Sequence, residues 1–130
     1  MDTVRAVIVA RFHVMSDYAR QVLWPVLRKD CQDGECRRGL RRMRKLLVRD
    51  LDTMDARSRS LLEGVLQRFA DLRIAYQYRE RLQQIWSRSA ASHDVLLKAL
   101  QDWCQQAEAT GVCALQEFAL RLKGYSLQAA

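Results

Sequence analysis

The chain has 130 residues, 49% of them hydrophobic and 28% charged, with a formal net charge of +7. That length suits one domain able to bury a core, and the basic balance points to an acidic partner. No run of about 18 apolar residues is present to span a membrane, and the opening MDTVRAVIVARF is too short and too interrupted by Arg5 and Arg11 for a secretory signal, so a cytoplasmic protein is expected.

One Pro and five Gly leave little punctuation, and β-branched residues are sparse after the first turns. The pattern predicts an all-α fold, a bundle of about five helices around a long central one. We expect a single helical domain over 1–130, with a basic N-terminal part (1–50) and a bundle core (53–127). The charge supports that division. Residues 1–50 hold 12 Lys/Arg against 6 Asp/Glu, whereas 51–130 hold 10 against 9.

Val4 to Val9, VRAVIV, is β-prone, yet no second strand is apparent to pair with it, and a lone strand is not stable. It reads as a helix by default, a residual strand, or a contact with another copy. From Phe12 the pattern turns helical through Met15, Ala19, Val22, Leu23, Val26 and Leu27. Pro25 interrupts it: the ring clashes with the Gln21 carbonyl and the residue lacks a donor, so a kink or break is expected. CQDGEC (31–36) is a polar turn. In RRGLRRMRKLLVRD (37–50), Leu40, Met43, Leu46 and Leu47 form an apolar face ringed by Arg37, Arg38, Arg41, Arg42, Arg44 and Lys45. This predicts a short basic amphipathic helix, weakened by Gly39 at a cost of about 1 kcal/mol relative to Ala.

Thr53 or Asp55 can cap a following helix that buries Leu61, Leu62, Val65, Leu66 and Phe69. The central helix runs from Leu72 to Trp86. Ala75, Tyr78, Leu82 and Ile85 recur on one face, widened by Leu72, Tyr76 and Trp86, while Arg73, Arg79, Glu80, Arg81 and Gln83 take the polar side. Its aromatics read as core rather than as a cofactor box. After a linker at 87–92, with Ser89 or Ser92 as cap, Val95, Leu96, Ala99, Leu100 and Trp103 give the next core face. Gly111 is a natural left-handed stop, and Leu115, Phe118, Ala119 and Leu122 point a last helix inward.

Chemistry-bearing motifs are sparse. Cys31, Cys36, Cys104 and Cys113 lack the CxxC spacing of a zinc knuckle. Buried or incidental thiols are expected, with a Cys31/Cys36 zinc site as the alternative. His13 and His93 have no HxxxH or HExxH neighbour, and no GxGxxG, GxxxxGK or GxSxG is present. No cofactor and no metal are expected.

Ala10-Arg11-Phe12-His13-Val14, followed by Tyr18-Ala19-Arg20-Gln21-Val22, resembles a motif of the ISL-three group of DDE transposases from bacterial insertion sequences. The downstream order agrees: Leu46-Leu47, Thr53, Leu72, Ala75-Tyr76, Leu82, Trp86, Trp103, Ala107, Thr110-Gly111, Leu115 and Phe118-Ala119. The resemblance covers about Val7 to Tyr125. It implies an RNase H-like enzyme in which two Asp and one Glu hold two metal ions, with this stretch forming a helical insertion between the second Asp and the final Glu. Two departures stand out. Ala10 occupies the position of the second Asp, and the segments bearing the first Asp and final Glu lie outside these 130 residues. Pro25 also falls where the family has a continuous helix. The expectation is therefore a transposase-derived helical fragment, not itself an enzyme, in a DNA transposition context. It would keep nonspecific DNA affinity through Arg37, Arg38, Arg41, Arg42, Arg44 and Lys45. The alternative is a stand-alone helical interaction module, with a homodimer covering apolar surface that a missing sheet would otherwise cover.

Overall fold

A computed structural model of the chain describes residues 13–32, 34–88 and 93–126. Residues 4–9, Ala10, Ser89 and Ser92, and the side chains of Cys36, Trp86 and His93, lie outside that description. Among the described residues there are helices and no strand. The first helical run, α1 (13–30), is α-helical over 13–18, π-helical over Ala19–Leu23 and α-helical again over Trp24–Asp30. Then come α2 (Gly34–Arg38), α3 (Leu40–Leu47), a 3₁₀ turn (Leu51–Thr53), α4 (Ala56–Arg68), α5 (Ala70–Arg88), α6 (His93–Glu108) and α7 (Cys113–Ser126).

The break expected at Pro25 does not occur. The Trp24 amide donates to the Ala19 carbonyl, five residues back, and Pro25 sits in the first turn of the α segment that follows. A turn widened in this way gives the pyrrolidine ring room beside the Gln21 carbonyl, and a first-turn proline has no helical donor to lose. The basic segment also differs from expectation. It is split at Gly39 into α2 and α3, and ends at Leu47.

α1, α5, α6 and α7 meet at one aromatic hub. Tyr18 of α1 lies edge-on to Phe118 of α7 (5.0 Å, 90°) and to Trp103 of α6 (6.0 Å, 67°). Trp103 and Phe118 close the triangle at 6.0 Å and 86°. The quadrupoles of such rings favour this edge-to-face arrangement. The Tyr18 hydroxyl donates to the Ala75 carbonyl on α5, and Trp103 Nε1 donates to the Tyr78 carbonyl at 3.0 Å. Each polar tip entering the core thus finds an acceptor on the central helix. Around the hub, Leu23, Leu27, Leu47, Leu62, Leu72, Leu82, Leu100 and Leu115 are fully buried, each worth about 1.5–3 kcal/mol of apolar transfer.

Asp55, rather than Thr53, caps α4, accepting from the Ser58 amide at 2.8 Å. Gly111 stands at φ +81°, the left-handed stop between α6 and α7. Two assignments to faces need correction. Val95 is 56% exposed instead of contributing to the core. Arg79, placed on the polar side of the central helix, is 9% exposed, because α3 ends against that side of α5 and its terminal carbonyl takes the guanidinium.

Candidate nucleic-acid interface

α3 is amphipathic because Met43, Leu46 and Leu47 recur at three- and four-residue steps, and all three are buried. Its cations are thereby turned outward. Arg41, Arg42 and Lys45 are exposed on α3, and Arg37 and Arg38 are exposed in the last turn of α2. Arg38 Nε donates to the Gly34 carbonyl at 3.2 Å, which closes that short helix. Five of the six basic residues singled out from the sequence thus face water. Arg44 does not. It is half-buried, its guanidinium lies over the Trp24 ring of α1 at 5.5 Å, and its Nε is buried with no hydrogen-bond partner. The cation–π contact holds α3 against α1 and withdraws Arg44 from the solvent face.

A second anchor comes from the central helix. Arg79 Nη2 donates to the carbonyl of Val48, the C-cap of α3, at 3.3 Å. Nη1 donates to Glu80 (3.1 Å) and Gln83 (3.3 Å). A cation at a helix C-terminus meets the negative end of the helix dipole and satisfies an orphan carbonyl. Beyond α3, Arg42 and Arg49 help hold the Asp55 carboxyl below its usual range, a shift caused first by the Ser58 hydrogen bonds.

The pattern of α1 brings further cations to the same side. Arg20, Trp24, Arg28 and Gln32 recur every four residues and, with Pro25 and Lys29, line a surface cleft. Arg20 is paired with Asp17. Arg28 and Lys29 are exposed and carry no ion pair among the described residues. The i, i+4 spacing was legible in the sequence, but the proline within it suggested a break and hid the stripe. No local signal marked Arg79, whose acceptor lies 31 residues away.

For metal or redox chemistry the described residues offer little to build on. No group of three or more His, Cys, Asp or Glu is placed to hold a metal ion among them. His13 is exposed beside α7. Cys31 is buried and disulfide-bonded, which corrects the expectation of a thiol there and removes it as a zinc ligand. Cys104 is a buried free thiol, pushed up to about 12 chiefly by desolvation, and Cys113 is exposed and free. No helix among the described residues is long and apolar enough to cross a membrane.

A helical bundle with a solvent-facing polycationic face defines the class of protein. Comparison with known proteins supplies the family. Residues 4–128 match the ISL-three group of DDE transposases, described as transposase, and the chain belongs to that family. It is 35% identical over 120 residues to the transposase for insertion sequence element IS1001 of Bordetella parapertussis, a match covering 88% of this chain and 29% of that protein. The chain therefore spans less than a third of the length of the curated relative. No solved structure matches it.

These findings overturn the expectation that the chain is not an enzyme. The family and the relative are transposases, which are enzymes. A stretch spanning 29% of a relative's length gives no ground for counting that enzyme's carboxylates as lost. Ala10, on which the expectation partly rested, lies outside the described residues.

Proposed function

We propose that this chain is the helical insertion of a DDE transposase and that it contacts the DNA backbone through the outward face of α2 and α3. The observation carrying the reading is the array of exposed cations Arg37, Arg38, Arg41, Arg42 and Lys45, on helices whose opposite side is buried in the bundle. Guanidinium and ammonium groups set at the surface suit phosphate oxygens, which would position DNA without reading its sequence. The 130 residues would act as one helical unit in the cytoplasm, where its DNA substrate lies.

The test is fluorescence anisotropy of a short labelled duplex across a salt series. Wild type should bind with log affinity falling linearly in log salt. Arg41→Ala/Arg42→Ala/Lys45→Ala should reduce the slope by roughly 2.7, or about 0.9 for each phosphate no longer neutralised. Arg44 is left intact because it supports α3 through Trp24. Absence of binding at low salt, or an unchanged slope in the variant, would refute the reading.

A further inference from the structure

The proposed function places DNA on α2 and α3, yet the largest basic feature outside them lies on α1. Its cleft is walled by Trp24 and Pro25 and bears Arg28 and Lys29 beside them, with Arg20 and Gln32 at its two ends. Gln32 Nε2 donates to the carbonyls of Arg28 (3.1 Å) and Lys29 (2.9 Å), closing the end of α1 beneath these two cations. Their side chains remain exposed and make no hydrogen bond among the described residues. Through Trp24, the wall of the cleft is also the seat of Arg44 from α3. One aromatic ring thus joins the α1 stripe to the basic helix.

We propose that the α1 cleft is a second phosphate-contacting track, met by the same duplex that lies on the α2–α3 face; this rests on the function proposed above. From Arg20 to Gln32 the stripe covers twelve residues, about 18 Å at the helical rise. That matches roughly five phosphates of one strand at about 3.4 Å of axial rise each. Packed helices lie about 8–10 Å apart, between the minor and major groove widths of about 6 and 12 Å. Cations on α1 and α3 are therefore spaced to engage the two strands flanking one groove. Arg28 and Lys29 supply the free positive charge. Arg20, already paired with Asp17, contributes less.

The experiment compares Arg28→Ala/Lys29→Ala with Arg41→Ala/Arg42→Ala and with a charge-matched control, Arg73→Ala/Lys98→Ala. The control removes two exposed cations from α5 and α6. All are measured on the full chain with the same labelled duplex across salt, with far-UV circular dichroism to verify folding. Removing the two phosphate-binding cations of the α1 track should reduce the salt slope by roughly two, as for the α3 pair, while the control stays near wild type. If the α3 pair loses slope and the α1 pair does not, the cleft is a solvated face and the function proposed above survives without it. If the control loses as much as the α1 pair, net charge explains the effect and the track is refuted. If wild type does not bind at all, the proposed function falls and the inference with it.

Discussion

Replacing Tyr18 with Phe should cost little at neutral pH and should become neutral or favourable in alkali. The ring is fully buried at the aromatic hub, and Phe keeps its volume and its edge contacts. The change removes one hydroxyl and its bond to Ala75. That carbonyl lies within a helix and keeps its own ladder bond, so no orphan acceptor remains. The loss is then the net worth of one hydrogen bond, about 1 kcal/mol. Tyr18→Ala instead empties a core site, at about 3–5 kcal/mol for an aromatic truncation. That is a large share of the roughly 5–15 kcal/mol expected in total.

The alkaline behaviour follows from the phenol's surroundings. Burial holds the Tyr18 pKa well above its ordinary value of 10.0, with Arg79 acting weakly in the other direction. A folded pKa raised above the unfolded one gives stability that is present below the unfolded pKa and lost as pH rises beyond it. Above pH 10 the unfolded chain sheds a proton that the folded chain keeps, so wild type loses about 1.4 kcal/mol per pH unit from this residue. Tyr18→Phe loses none of it. Starting about 1 kcal/mol lower, the variant should meet wild type near pH 10.6, for an unfolded pKa of about 10. Urea unfolding followed by circular dichroism at pH 7, 9, 10 and 11 gives both curves. Parallel curves across that range would refute the account, as would a cost above about 3 kcal/mol at pH 7.

Two further outcomes are expected. A Cβ added at Gly111 meets nothing within 4 Å, so Gly111→Ala should show the backbone cost of φ +81° alone, about 1–2 kcal/mol in urea unfolding; an unchanged midpoint would show that the α6–α7 turn relaxes freely. Under native conditions at pH 8, a thiol reagent should label Cys113 rapidly and reach Cys104 only through unfolding, since burial keeps that thiol protonated; equal rates would contradict the packing of α6.

Most of the bundle was legible because its faces follow simple periods. Leu72, Ala75 and Leu82 of α5 are buried where spacing put them, as are Leu115, Phe118 and Leu122 of α7. Asp55 and Gly111 were readable from local chemistry, since a cap and a left-handed stop each need only their own turn. What spacing could not reveal was contact between distant parts. Arg79 looks solvated until α3 ends beside it, and Val95 looks buried until α6 turns it outward. Arg44 was counted with its neighbours, though it packs on a tryptophan twenty residues back. Pro25 misled for a different reason: the penalty was rightly identified, but a π turn is a local remedy that no residue type announces.

That π turn has a geometric consequence. Val14, Tyr18, Val22 and Val26 form the buried row of α1, and Arg20, Trp24, Arg28 and Gln32 the outer one, both at steps of four. At 3.6 residues per turn, every such step overshoots a full revolution by about 40°, so in a regular α-helix each row would wind around the axis like a thread. The wider π turn rotates less per residue and takes back part of that winding. It acts as a phase correction, keeping one row in register with the bundle and the other in line along the surface. Deleting a single residue between Ala19 and Leu23 would restore regular pitch while swinging everything after it by about 100°. Sequence length in this turn is thus as constrained as sequence identity.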